Sequence, residues 1–541
     1  MKKTGFILFV AGILFCSLYG CSNSDKPRST SVLPKDTIFI DIGGEPPTLD
    51  PALAGDNVSF RVLNDLFEGL VTTDQTNKVI PALAESWKIS PDGKTYTFTL
   101  RKGLKFSDGT TIAASDFIYS WQRFVNPKTG AQQSNLADNI VNGKAIIKGK
   151  LPPAQLGIKA IDQRHIVINL VYPDSFFIDK LASPGFAVVP IQAINKHGSN
   201  WTNPDNMVTS GAYHLTSHVI NGYLEATKNP YYYDESQVHI PKIKFLAISD
   251  PNAAYNQYQV GHLDITSTIP IEQYKQIKIQ YPVDLYTVEQ NAIYYYDLNQ
   301  FDPVLKSNLK LRQALVMSVD RDSLVKYVLG QGQKPMYSFI PDTVAAGAYK
   351  NSHYFWESWA YVKRLDYARK LYAEAGFSQT KPLTLTISYN TLDSHKKIAL
   401  AIASMWQSGL GVNVKLKNQE WKTFIKSRQQ GNYQIARDGW IADNNVASFT
   451  EFMFLCDSAQ NNSHYCNRNY DRLIQHVKAI DESLEKQQLN EQAIKMVLAD
   501  YPIIPLYQYV YLRLVSPRVD GYYPEGNHND SVMTKWMSLK Y

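Results

Sequence analysis

The chain has 541 residues, 44% of them hydrophobic, with 55 lysines and arginines against 49 aspartates and glutamates and only four cysteines. That length exceeds what one compact core supports and argues for two or three domains. The net charge of +6 is spread along the chain with no basic block beyond pairs, which argues against a nucleic-acid surface.

Lys2 and Lys3 precede an apolar run over residues 6–19, the pattern of a signal peptide and short for a membrane span. Leu18-Tyr19-Gly20-Cys21 reads as a lipobox, making residues 1–20 the signal and Cys21 a lipidated first residue. Ordinary cleavage to a soluble protein is the other reading. The polar residues 22–35, with Pro27 and Pro34, suit a flexible tether. No later segment reads as a transmembrane helix.

Residues 95–100 alternate, with Tyr96, Phe98 and Leu100 on one face and threonines on the other, which predicts a half-buried strand. Ser107-Asp108-Gly109 then supplies a turn. Ser115 is placed to cap a helix whose Phe117, Ile118, Trp121, Phe124 and Val125 fall at helical spacing and which ends near Asn126-Pro127. Spacing predicts further helices over 311–329, 367–375 (closing at Gly376) and 395–410, with strands over 383–387 and 412–416. This interleaving of strands and helices predicts an α/β body.

Between residues 436 and 443, Ala436-Arg437-Asp438-Gly439-Trp440-Ile441-Ala442-Asp443 sets an arginine, a tryptophan and an aspartate around a glycine. If Gly439 marks a turn opening into a cleft, Asp443 accepts hydrogen bonds from an ammonium group, Arg437 complements a carboxylate and Trp440 offers a flat apolar wall. That set suits a zwitterion such as a peptide. A surface turn with one core tryptophan and a solvated ion pair is the plain alternative. Cys456 and Cys466 lie ten positions apart in a polar loop, and in an exported protein a disulfide worth about 2 to 3 kcal/mol is the default. A zinc set of Cys456, His464 and Cys466 lacks an evident fourth ligand, so neither a metal nor a cofactor is expected. The motifs His-Glu-x-x-His, Gly-x-Ser-x-Gly and the P-loop are absent, and the chain does not read as an enzyme.

Several motifs in order carry a resemblance: Glu45-Pro46-Pro47-Thr48-Leu49-Asp50-Pro51, Leu66-Phe67-Glu68-Gly69-Leu70, Pro81-Ala82-Leu83-Ala84-Glu85-Ser86-Trp87 with Ser90-Pro91-Asp92-Gly93, Phe106-Ser107-Asp108-Gly109, and Asn418-Gln419-Glu420-Trp421-Lys422-Thr423-Phe424. Together with residues 436–443 they resemble the family 5 extracellular solute-binding proteins, nearest to the oligopeptide-binding group that serves ABC importers. The resemblance implies an α/β, two-lobed, three-domain periplasmic binding protein fold (type II, cluster C like) with mixed sheets. It places domain I at 36–67, 192–291 and 510–541, domain II at 68–191, and domain III at 292–509. It implies a monomer in the periplasm that closes over short peptides and delivers them to a membrane permease with separate ATPase subunits, its only membrane contact being the lipid at Cys21.

Carried over residue by residue, the resemblance puts Asp443 on the peptide's α-amino group and Arg437, Arg428 and His395 near its carboxylate; for the three basic residues a structural ion pair is the other reading. It makes Trp421 and Trp440 walls of side-chain pockets and Tyr295 a lining residue, with Tyr294 and Tyr296 packing in the core. Departures from the family pattern are Gly55 for an acidic residue, Asn57 for an apolar one, Gln133 and Gln290 for tyrosines, and Leu329 for a basic residue. Ile441 and Ala292 stand where the family has a cleft disulfide. Those departures open murein peptide as an alternative ligand, and an envelope chaperone or adhesin on the same fold as a third reading.

Overall fold

The computed structural model describes residues 33–174, 176–441, 446–478, 480, 483–523 and 532–540. The expected signal, the anchor at Cys21 and the amino-group anchor Asp443 lie outside the described residues. Among them, no helix is long and apolar enough to cross a membrane.

Three sheets organise the chain, and each has its own core. A four-stranded mixed sheet runs Thr37–Asp41, Lys242–Leu246, Tyr223–Lys228, Tyr213–Val219, with the first pair parallel and the others antiparallel. A second, antiparallel sheet runs Ala84–Ile89, Thr95–Leu100, His165–Asn169, Ile158–Ala160. The third is six-stranded and mixed, in the order Lys334–Pro335, Ile503–Leu514, Leu285–Leu298, Ile435–Ile441, Thr384–Asn390, Asn413–Gln419. The first sheet packs Ile38, Phe67, Trp201 and Phe245 with C-terminal residues such as Met537. The second packs Phe98, Phe117, Trp121 and Phe186. The largest core, from Ile293 to Tyr507, contains Tyr294, Trp356, Trp406 and Tyr470.

Two long paired strands connect these bodies. Leu285–Leu298 and Ile503–Leu514 are antiparallel, and their register shifts between Glu289 and Ile293. Leu285 and Leu514 pack in a small core with Tyr255 and Tyr258, while Tyr294 and Ile504 pack in the largest one. A bulge bends a strand locally, and here it falls where the pair passes between cores.

Thr95–Leu100 forms as its alternation predicts, with Tyr96, Phe98 and Leu100 buried. The helix after it spans Ala114–Val125, and its start is set differently from expectation. The Asp116 carboxylate accepts from the Ala113 N–H at 2.8 Å, so Asp116 caps the turn rather than Ser115. The predicted helix over 311–329 is divided into Leu309–Met317, the turn Arg321–Ser323 and the wide helix Leu324–Leu329. Asp320 causes the break, because its side chain accepts from the Ser323 N–H at 3.1 Å and starts a new helix. Tyr361–Glu374 and Asp393–Leu410 are the remaining predicted helices, with Thr384–Asn390 and Asn413–Gln419 the strands. Cys456 and Cys466 are joined as a disulfide, their Cα atoms 4.5 Å apart. His464 stacks on Phe301 at 4.1 Å, so the three residues form no zinc set.

Candidate functional site

A cavity of about 900 Å³ lies where the three bodies meet, lined by Asp56 and Asn57 of the first, Gln133 of the second, and Trp421, Arg437 and Tyr509 of the third. That is near the top of the ~300–1,000 Å³ range of small-molecule sites. On one side the helix Asn57–Leu66 begins, capped by the Asp56 carboxylate, which accepts from the N–H groups of Val58 and Ser59 at 3.1 Å each. Asn57, its first residue, is exposed to the cleft. Gly55 is crowded: an added Cβ would lie 2.1 Å from Gln132 Oε1. A larger residue there would displace the Gln132 amide.

The opposite wall is built on Ile435–Ile441. Gly439 is not the expected turn; it lies within this strand, opposite Tyr294. Its lack of a side chain has a packing cause, since a Cβ would meet Tyr509 Oη at 2.7 Å. Alternation along the strand sorts the site by face. Arg437 stands opposite Tyr296, and Asp438 opposite Tyr295.

On the Arg437 face, the guanidinium lies over the Tyr294 ring at 5.0 Å and its Nη2 donates to Tyr509 Oη at 2.5 Å. Tyr294 stacks on Tyr507 at 4.7 Å, and its hydroxyl meets His395 Nδ1 at 3.1 Å. Among the described residues no carboxylate lies within ion-pair distance of Arg437, and its Nε is buried without a partner. Burial opposes the charge of Arg437, but the surrounding tyrosine hydroxyls and Asp438 outweigh it and hold the guanidinium above its ordinary range. His395 behaves oppositely. Burial first, and the Arg437 charge second, push its imidazole well below the usual range, so it is neutral at pH 7. It was expected as a basic position; it is a neutral hydrogen-bonding ring at the cleft wall.

On the other face Arg428 forms a short ion pair with Asp438, whose carboxylate also accepts from the Gly439 N–H at 2.7 Å and Asn462 Nδ2 at 3.0 Å. Arg428 borders the cavity, yet its charge is matched internally. Asp297 sits beside this pair, and burial together with the Asp438 charge holds its carboxyl well above the usual range. Tyr295 is 2% exposed and lies against Asp438 and Asp297 instead of lining the cavity. The lining role expected of Tyr295 is not met, whereas Tyr294 packs in the core as expected, and from there its ring supports Arg437.

Trp421, Trp440 and Ile441 all line the cavity; the Trp440 indole N–H is buried without a partner, while that of Trp421 is turned to the Asp56 carboxylate. Of the positions expected to depart from the family pattern, Gly55, Asn57, Gln133, Gln290, Leu329 and Ile441 line the cavity, and Ala292 does not. Ile441 faces Ala292 in register across the strands, the placement that a cross-strand disulfide would need. Tyr507, Tyr509, Gln460 and Asn462 line the cavity without having been singled out in the sequence. For the two tyrosines the alternation of Tyr507, Tyr509 and Tyr511 along one strand was the available signal. Among the described residues no cluster of histidine, cysteine or acidic side chains suits a metal ion.

This architecture has known counterparts. The family model described as bacterial extracellular solute-binding proteins, family 5 Middle, matches residues 78–462. The chain is 37% identical to the periplasmic oligopeptide-binding protein OppA of Salmonella typhimurium over 95% of each chain. It is also 37% identical to the periplasmic murein peptide-binding protein MppA of Escherichia coli, again over 95% of each. The crystal structure of Haemophilus influenzae OppA in complex with RPPGFSPFR superposes with a TM-score of 0.90 at 35% identity, covering 94% of this chain and 99% of that one. Two structures of MppA, both 36% identical, differ in their fit: one gives 0.90, while the unliganded open form gives 0.64, each over 94% of this chain and 99% and 98% of theirs.

Proposed function

The chain belongs to the bacterial extracellular solute-binding proteins of family 5, and from that membership we propose that it is the substrate-binding component of an ABC importer, capturing short peptides in its interlobe cleft for a membrane permease. The observation that carries this reading is the cavity between separately cored bodies, faced by an arginine with no carboxylate partner among the described residues. A peptide brings the missing carboxylate, together with backbone groups that can meet the unpartnered indole N–H of Trp440. Because those groups are common to all peptides, and waters rearrange around different side chains, the cleft tolerates many sequences.

In this reading, 36–67, 192–291 and 510–541 form domain I, 68–191 domain II and 292–509 domain III; the three separate large cores support that division. The function is capture, with no bond made or broken in the ligand. The lobes close about the ligand and present a joint surface to the permease, and ATP is hydrolysed by other subunits. Asp443 holds the ligand's amino group, and Cys21 anchors a monomer in the periplasm through lipid. The equal identity to OppA and MppA favours a second reading with murein peptides, whose extra carboxylates suit an unmatched cation.

Calorimetric titration of ligand-stripped protein with a tripeptide, its N-acetylated twin and a murein tripeptide tests these readings. The free-amine tripeptide is expected to bind and the acetylated one to fail. Equal binding of both would remove Asp443 from its role. Binding of the murein peptide alone would decide for the second reading, and turnover of any of them would overturn capture.

A further inference from the structure

Two of the bodies also meet outside the cavity lining. Lys478 ends the helix Arg468–Lys478, is buried, and places its ammonium between two carboxylates: Asp138 Oδ2 at 3.1 Å and Glu451 Oε2 at 2.9 Å. These carboxylates come from different cores. Asp138 follows the turn Ser134–Ala137, whose Leu136 and Ala137 pack with Phe117 and Trp121. Glu451 lies on Ala447–Phe454, whose Phe449 packs with Tyr470 and Ile474 of the lysine's own helix. Lys478, Asp138 and Glu451 are all absent from the cavity lining. Phe452, from the lysine's side, packs on the opposite core, and an exposed pair of Lys148 and Asp457 at 2.5 Å crosses the same boundary.

We infer that Lys478 is a positioning residue for ligand capture: by bonding Asp138 across the boundary it favours the closed arrangement of the lobes, whatever ligand fills the cleft. This rests on the proposed reading that the lobes open and close around a ligand. When they part, Lys478 keeps Glu451, which moves with it, and loses Asp138. In the closed form its charge bridges the part-buried Asp138 and the buried Glu451; Lys180, paired with Asp174 at 2.8 Å on the opposite body, also attracts Glu451, so the loss of Lys478 falls mainly on Asp138, which is left without its cation across the boundary. Apparent affinity scales with the closed-competent fraction. The contact therefore multiplies the affinity of every ligand by one factor, whereas a residue touching ligand changes affinities unequally. Lys148 and Asp457 are 37% and 49% exposed and contribute little.

The test is Asp138→Asn, which keeps the shape and removes the charge, with Asp138→Glu as the conservative variant. Dissociation constants and dissociation rates are measured for a tripeptide and a pentapeptide. Asp138→Asn is expected to weaken both by a common factor of about 10 to 100, carried by faster dissociation, and Asp138→Glu to recover part of the loss. Spin labels at Ile161→Cys and Val362→Cys, on exposed positions of the two bodies, report the closed population without ligand. It should fall in Asp138→Asn and fall further in Lys478→Met. Unchanged constants, or factors that differ several-fold between the peptides, would overturn the proposal. If no peptide binds the parent protein, the peptide reading fails, and the label distances still decide: identical distributions in parent and Asp138→Asn rule the contact out.

Discussion

Arginine is laid on aromatic rings in two regions of the largest body, with different consequences. Arg321 and Arg364 crowd the rings of Tyr337 and Trp356 at 5.1 to 5.7 Å, and both arginines are at most 2% exposed. Arg321 donates to the carbonyls of Pro505 at 2.7 Å, Val316 at 3.1 Å and Val319 at 3.2 Å, fastening a helix end to the central sheet. Arg437 lies over Tyr294 in the same manner but borders the cavity. The chemistry is shared and the surroundings decide the role: enclosed by carbonyls the cation holds the fold together, and beside an open volume it is available to a ligand. Their acidities part accordingly. Burial pulls Arg321 down to about 10, whereas at Arg437 burial is outweighed by the nearby hydroxyls and Asp438.

The comparison is broken most severely by removing the enclosed cation. Arg321→Met leaves three buried carbonyls without their donor and is expected to cost about 3 to 5 kcal/mol in urea unfolding. The dissociation constant of the folded fraction should stay within about twofold. Arg437→Met is expected to do the reverse. It should weaken free-acid peptides by about 2 to 4 kcal/mol and C-terminally amidated ones much less, with a melting temperature close to that of the parent. If Arg437→Met destabilises as strongly as Arg321→Met, or weakens acid and amide alike, the distinction between the two regions fails.

Much of the fold was legible because its signals are local. Thr95–Leu100 was readable from alternation and Asp393–Leu410 from helical spacing, to within two residues at the start. The break at Asp320 was missed because apolar spacing continues across it, although an aspartate is itself a helix-capping residue. At the site, residue identities were legible through resemblance, and Arg437, Arg428, His395, Trp421, Trp440, Asn57, Gly439 and Ile441 do converge on one cavity. Their electrical state was not. That Arg428 is matched by Asp438 depends on a helix folding back onto a strand, and the withdrawal of Tyr295 from the cavity depends on which face of the strand turns toward Asp438. Such pairings arise from tertiary contact, which periodicity does not encode.

Acidity sharpens the comparison at the site itself. The folded-state pKa of His395 is depressed, by burial and then by Arg437, so below its unfolded value of ~6.5 the unfolded chain binds the extra proton. His395 therefore costs stability as pH falls through that value, by up to about 1.4 kcal/mol per unit until the folded ring itself protonates. Denaturant titrations between pH 7 and 5 should show this slope in the parent relative to His395→Gln. Parallel curves would mean that the ring is not held neutral.

The smallest expected change tests whether Arg437 needs its neighbour. Tyr509 Oη accepts from Arg437 Nη2 and overhangs Gly439, so the hydroxyl both aims the guanidinium and occupies the space that the glycine leaves open. Tyr509→Phe keeps the ring and removes only that acceptor. An oriented cation is worth more to a carboxylate than a loose one, and the expected loss is about 1 kcal/mol of affinity for free-acid peptides. In the enclosed region Tyr337→Phe removes a hydroxyl that donates to Asp322 at 3.0 Å, leaves the carbonyl bonds of Arg321 in place and should not alter ligand affinity. If Tyr509→Phe instead tightens binding, the hydroxyl competes with the ligand for the guanidinium, and Tyr509 belongs with the groups a peptide must displace.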